Sequence, residues 1–236
     1  MSLTRVTISG ADDLVDPGRL AALAIEFPFV EWGILFSRKR AGEPRYPSDK
    51  WREWLQGVVK DVSMDLSAHF CGALARETLA GKGLHAELLT GEYGRIQLNG
   101  FESETEGLLR IIEDNPGHEW ILQVRDRRSL QEAEGVCVVM STNDLADVSI
   151  LWDASGGRGL RSAWPSLQGF PVPVGLAGGI GPDNIEAVAR EAAALPYVAW
   201  IDMESGVRTN DVFDLDKVKS VLRSAAPFVK ELGEGK

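Results

Sequence analysis

Short runs of β-branched and aromatic residues alternate along this chain with longer stretches whose apolar positions recur three and four residues apart. The short runs predict strands at 5–9 (RVTIS), 29–36 (FVEWGILF), 62–68 (VSMDLSA), 95–98 (RIQL), 120–124 (WILQV), 148–152 (VSILW), 172–177 and 198–202. The longer stretches predict helices at 17–26, 49–60, 73–80, 103–114, 129–135, 182–195 and 214–224. A weak helix is expected behind the glycine-rich loop after the sixth strand. Asp16 is placed to cap the first helix, and Ser-Glu-Thr-Glu at 103–106 has the form of a capping box. Strand-then-helix units in this number, with no low-complexity linker, point to a parallel sheet. We therefore read residues 1–236 as one domain of the α/β class, a (β/α)8 TIM barrel. An open doubly wound sheet is the competing architecture. No repeat of fixed period is visible, which argues against a solenoid.

Composition narrows the partners. At 236 residues and 44% hydrophobic, the chain can bury a sizeable core. A net charge of −10 and a pI near 4.9 argue against nucleic acid, whose phosphates call for a basic patch. No apolar run is long enough to span a membrane, and the first residues lack the pattern of a signal peptide. Cys71 and Cys137 are the two cysteines, with no CxxC spacing, so a reduced cytoplasmic protein is expected.

A barrel of this kind carries its site at the C-terminal ends of its strands. That rule selects Ser9-Gly10, Phe36-Ser37, Ser67-Ala68-His69, Gln97-Leu98-Asn99-Gly100, Val124-Arg125, Trp152-Asp153, Ala177-Gly178-Gly179 and Asp202-Met203-Glu204-Ser205-Gly206. Glycine turns after the last two strands, each ahead of a helix, suit a phosphate dianion held by backbone N–H groups. Gly178-Gly179 alone also reads as a tight corner, with Pro182 starting the next helix. Asp153 and Asp202 are carboxylates placed for acid or base work if burial raises their pKa. The alternative is a helix cap or a pair with Arg158 or Arg161, and for Asp202 this alternative is preferred. His69 stands without a second histidine at ligand spacing, so it reads as structural and no metal or cofactor is expected. A divalent cation held by His69, Asp153 and Glu204 is the competing reading. Every lysine falls in a loop, helix or tail, which removes Schiff-base chemistry inside the barrel.

Taken in order, these segments resemble the phosphoribosylanthranilate isomerase family. VTISG (6–10) resembles its opening V-K-I-C-G, and GILFSRKRAGEPRYPS (33–48) its G-F-x-F followed by S-x-R-Y-x-S. IQLNG (96–100) resembles V-Q-L-H-G, and ILWDASGGRG (150–159) resembles L-L-D followed by G-G-[ST]-G. GLAGGIGPDNI resembles L-[AS]-G-G-L-x-P-x-N-V, and IDMESGV (201–207) resembles V-D-V-S-S-G-V. The resemblance implies a barrel that performs an Amadori rearrangement of an aminoaldose phosphate to an aminoketose phosphate, without a cofactor. An acid protonates the ring oxygen to open the sugar, and a base removes the C2 proton. The acid matches Asp153, and the arginine that takes the anthranilate carboxylate matches Arg45. The phosphate cradle matches Gly178, Gly179, Ser205 and Gly206, and Gln97, Asn99 and Asp202 complete the binding set.

The base position departs from the family. Ser9 stands where the family has cysteine, and a hydroxyl is a far weaker base that needs an activating partner. No histidine at the strand ends is expected to reach Ser9. Asn99 stands in place of histidine, and Glu204 in place of serine. Glu204 adds negative charge beside the cradle unless its side chain turns away; it is also a candidate relocated base. The expected protein is an isomerase acting on a small phosphorylated substrate, as a monomer or homodimer in the cytoplasm. The alternatives are a lyase or epimerase using Asp153 and Glu204, or a silent barrel that binds a phosphorylated metabolite.

Overall fold

A strand buried on both sides must place alternate side chains in two different environments, and in this chain the two are unlike. The computed structural model describes residues 3–82, 92–101, 105–143, 147–155, 159 and 164–230. The elements follow as β1 (Arg5–Ser9), α1 (Pro17–Glu26), β2 (Val30–Phe36), α2 (Asp49–Asp61), β3 (Asp65–Phe70) and α3 (Ala73–Leu79). Next come β4 (Arg95–Leu98), α4 (Thr105–Asp114), β5 (Glu119–Val124), α5 (Arg127–Asn143) and β6 (Val148–Trp152). The chain continues through β7 (Val174–Ala177), α6 (Ile185–Ala194), β8 (Val198–Met203) and α7 (Leu215–Ala225). The eight main strands pair in parallel in chain order, and β8 closes on β1.

One set of alternating residues, including Val6, Ile8, Trp32, Ile34, Leu66, Phe70, Ile96 and Trp120, joins the helices in a continuous core. The other set faces the barrel interior and is largely polar. At its N-terminal end, Arg95 donates to Glu31 at 3.0 Å and to Glu119 at 3.0 Å, while Thr7 donates to Glu31 at 2.8 Å. Burying these charges together satisfies each of them, as an isolated one could not be. Ile121, Leu151, Ala177 and Trp200 form an apolar plug above the ion pairs. The Arg95 guanidinium lies 4.1 Å from the centre of the Trp200 ring. Gly175 admits that indole, since a Cβ there would sit 2.1 Å from Trp200 Cε2. What remains of the interior, toward the C-terminal ends of the strands, is the site.

Helix starts follow the expected chemistry. Asp16 accepts from Gly18 N at 2.8 Å with Pro17 in the first turn, and Ser48 and Asp214 cap α2 and α7. Many boundaries shift by one to three residues from the sequence expectation, with α6 starting at Ile185 rather than at Pro182, and three differences are larger or bear on the site. β3 runs from Asp65 to Phe70 rather than ending at 68, because pairing to β2 and β4 extends through His69 and Phe70. α5 continues through Gly135 to Asn143, because Val136, Cys137 and Met140 bury against the barrel and outweigh the glycine's local cost. The helix expected after β6 falls largely on 156–158 and 160–163, outside the described residues, and 164–173 holds no helix. The capping box at 103–106 also lies largely outside them. Among the described residues, no helix is long and apolar enough to cross a membrane.

Candidate active site

The C-terminal mouth of the barrel is a cavity lined by Ser9, Gln97, Asn99, Asp153, Gly178, Gly179, Asp202, Glu204, Ser205 and Gly206, with His69 and Gln123 among them. Ten of the sequence-selected residues therefore meet in one place. Arg45 stands beside them, bonded to Glu204 and Ser205.

Ser9 ends β1, where the backbone aligns it with Gly33 of β2, and Gly33 aligns with Ser67 of β3. Because Gly33 has no side chain, groups on β1 and β3 meet across it. A Cβ at Gly33 would lie 2.3 Å from Ser9 Oγ and 2.7 Å from His69 Cε1. In that space Ser9 Oγ sits 3.5 Å from His69 Nδ1 and 3.2 Å from Asp202 Oδ1. The expectation that no histidine reaches Ser9 is thus corrected. It followed from ending the third strand at 68, which puts His69 at the strand's edge without fixing its side chain on the inward face of β3.

The histidine is buried and its ring is oriented from both ends. Ser67 Oγ lies 2.9 Å from Nε2, and Gln97 Nε2 lies 3.3 Å from Nδ1. Gln97 also donates to Asn99 Oδ1 at 2.8 Å, and Asn99 Nδ2 donates to Cys71 Sγ at 3.1 Å, which fixes both amides. With the Gln97 amide nitrogen as donor to Nδ1, the tautomer protonated on Nε2, with Ser67 Oγ accepting, satisfies both contacts. Burial pushes the imidazole pKa down to about 4, helped by Arg95 and opposed by Glu31. The same burial pushes Cys71 up to about 11, so this thiol supplies no thiolate at neutral pH.

Among the described residues Asp202 neither caps a helix nor pairs with an arginine; Arg158 and Arg161, the partners considered from sequence, lie outside them. It is buried beside Ser9, and its pKa is raised well above the carboxylate range by burial and then by Glu31, Glu204 and Asp153. Asp153 is held by three donors: Gln123 Nε2 at 3.0 Å, Ser155 N at 3.1 Å and Ser155 Oγ at 2.6 Å. Arg158 and Arg161, its alternative partners, lie outside the described residues. Trp152 packs in the outer core, on the opposite side of the strand from Asp153.

Two loops close on each other at the glycine turns. Gly178 and Gly179 adopt φ of 100° and 62°, a region costly for other residues. A Cβ at Gly206 would lie 1.9 Å from the carbonyl oxygen of Ile180, so only glycine lets the loop after β8 approach the loop after β7. Glu204 turns to Arg45, with Oε1 2.6 Å from Nη1, and Asp211 takes the other edge of the guanidinium at 2.7 Å. The charge that Glu204 brings is therefore paired. Arg45 itself has a φ of 76°, held by a hydrogen bond from its N–H to Asp12 at 2.9 Å. Among the described residues no group of three His, Cys, Asp or Glu side chains is placed to hold a metal ion, so His69, Asp153 and Glu204 do not form the cation site considered from sequence.

A family model described as N-(5'phosphoribosyl)anthranilate (PRA) isomerase matches residues 93–224, more than half of the chain. The chain belongs to the phosphoribosylanthranilate isomerase family. It is similar to the N-(5'-phosphoribosyl)anthranilate isomerase of Rippkaea orientalis, at 30% identity over 78% of this chain and 82% of that one. The corresponding protein of Eremothecium gossypii is 37% identical over 32% of this chain, a match spanning 37% of that relative's length. The solved isomerase structure from Pyrococcus furiosus superposes with a TM-score of 0.56 at 16% identity, covering 95% of this chain and 99% of that one. This last likeness is one of fold.

Within the family frame, Gln123 and Ser155 are polar lining residues that sequence reasoning passed over, and His69 is one that it read as structural. Strand alternation held the signal for two of them. Ser67 and His69 are inward positions of β3, and Gln123 is an inward position of β5 level with the strand ends.

Proposed function

We propose that this chain isomerises phosphoribosylanthranilate to the corresponding aminoketose phosphate, the Amadori step of tryptophan biosynthesis. Support comes chiefly from one observation: Asp153, Ser9 and both glycine loops line the same cavity at the C-terminal ends of the strands. The backbone N–H groups of Gly178, Gly179, Ser205 and Gly206 hold the phosphate, using the turn geometry that only glycine tolerates there. Asp153, oriented by Gln123 and Ser155, protonates the ring oxygen and opens the sugar. Gln97, Asn99 and Asp202 surround the sugar carbons, and Ser9 faces C2. Arg45 takes the anthranilate carboxylate as Glu204 releases one edge of its guanidinium.

The pairing of Glu204 with Arg45 favours this reading over a lyase or epimerase that would use Glu204 as its base. Growth without tryptophan of a bacterial strain lacking the isomerase tests it. The wild-type chain restores growth and Asp153→Asn does not. Failure of the well-expressed wild type to restore growth would overturn the assignment.

A further inference from the structure

Ser9 poses a chemical problem that the isomerase reading leaves open, since an isolated hydroxyl cannot take a proton from carbon at neutral pH. We propose that His69 is the group that takes the Ser9 hydroxyl proton during turnover, a positioning residue that acts on the substrate only through Ser9. The inference rests on the isomerase reading and adds to it the group that makes Ser9 work.

Four observations converge on it. Ser9 Oγ and His69 Nδ1 face each other at 3.5 Å across the missing side chain of Gly33. Gln97 and Ser67 orient the ring so that Nδ1 faces both the Gln97 amide at 3.3 Å and Ser9 Oγ at 3.5 Å. Burial keeps the imidazole neutral, and the titratable and charged groups facing it or its partner Ser9 are Glu31 from β2, Arg95 from β4 and Asp202 from β8. Ser9 Oγ also donates to Asp202 Oδ1 at 3.2 Å, so the hydroxyl lies between Asp202 on β8 and His69 on β3.

The step balances without a further reactant. As the C2–H bond of the ring-opened iminium breaks, its electron pair forms the C1–C2 double bond, and the C–N π pair moves to nitrogen. The C2 proton goes to Ser9 Oγ while the hydroxyl proton goes to Nδ1, leaving a serine hydroxyl, an imidazolium and an enaminol. Formation of the ketone reverses the transfer. C1 takes a proton through Ser9 from His69, and the enol hydroxyl gives its own to Asp153, restoring the acid.

The test combines turnover of phosphoribosylanthranilate by wild type, His69→Asn, Ser9→Cys and the double variant with nitrogen NMR of the wild-type histidines. His69→Asn is expected to lower kcat by about 100-fold or more, with KM changed less than about threefold. Ser9→Cys remains active, because a thiol can form its own thiolate, and in that background His69→Asn costs less than about tenfold. A structural role for His69 predicts an equal loss in both backgrounds. Equal losses, an unchanged kcat in His69→Asn, or an inactive Ser9→Cys would each overturn the inference while leaving the isomerase reading standing. Absence of wild-type turnover would overturn both. The NMR arm needs no variant to fold: His69 is expected to be the neutral tautomer protonated on Nε2 from pH 5.5 to 8, roughly a unit and more above its lowered pKa. A proton on Nδ1, or titration near the ordinary histidine value, would overturn the inference by itself.

Discussion

Lowering the pH from 7.5 to 5 should destabilise this barrel through His69. The imidazole pKa falls from an ordinary 6.5 to about 4 in the folded protein, so between those values the unfolded chain binds a proton that the folded chain refuses. Stability therefore falls as pH falls through that window. At about 1.4 kcal/mol per pH unit, the whole difference is worth about 3 kcal/mol, of which about 2 kcal/mol is lost by pH 5. Urea unfolding followed by tryptophan fluorescence, on wild type and His69→Gln at both pH values, isolates this contribution because the remaining titrating groups are shared. The wild type should lose about 2 kcal/mol more than the variant on acidification. Equal losses would refute the burial argument, and with it the claim that the ring is held neutral.

Gly33→Ala places a methyl 2.3 Å from Ser9 Oγ and should cost about 1–3 kcal/mol in urea unfolding by overpacking. Turnover should fall with it, since Ser9 and His69 are forced apart, and a fully active, fully stable alanine variant would contradict the described geometry. Glu204→Ser removes a carboxylate that competes for Arg45, and a partly exposed pair of this kind is worth about 0.2–1 kcal/mol. The KM for phosphoribosylanthranilate should fall by up to about fivefold in steady-state kinetics, and a rise in KM would show that Glu204 assists binding instead.

Much of the architecture was legible because strand and helix periods differ and the chain switches between them cleanly. The phosphate end was legible as well, since a backbone forced into φ values of 100° and 62° needs glycine, and glycine is visible in sequence. Contacts made across the barrel were not. That Ser9 meets His69 depends on the alignment of Ser9, Gly33 and Ser67 and on β3 running two residues past its apparent end. Neither follows from local pattern. The contact of Asp202 with Ser9 was hidden for a related reason: the serine lies on a strand 193 positions earlier in the chain. The reach of α5 through Gly135 shows the same limit, with burial of Val136, Cys137 and Met140 deciding what propensity alone does not.

The central claim concerns a hydrogen moved from C2 to C1 of a phosphorylated aminosugar by Asp153 and Ser9. Proton and carbon NMR of phosphoribosylanthranilate mixed with the purified chain observes that directly. The account predicts conversion of the C1 methine to a methylene and of C2 to a carbonyl, abolished in Asp153→Asn. Binding of the substrate with both carbons unchanged, or conversion that survives Asp153→Asn undiminished, would contradict it.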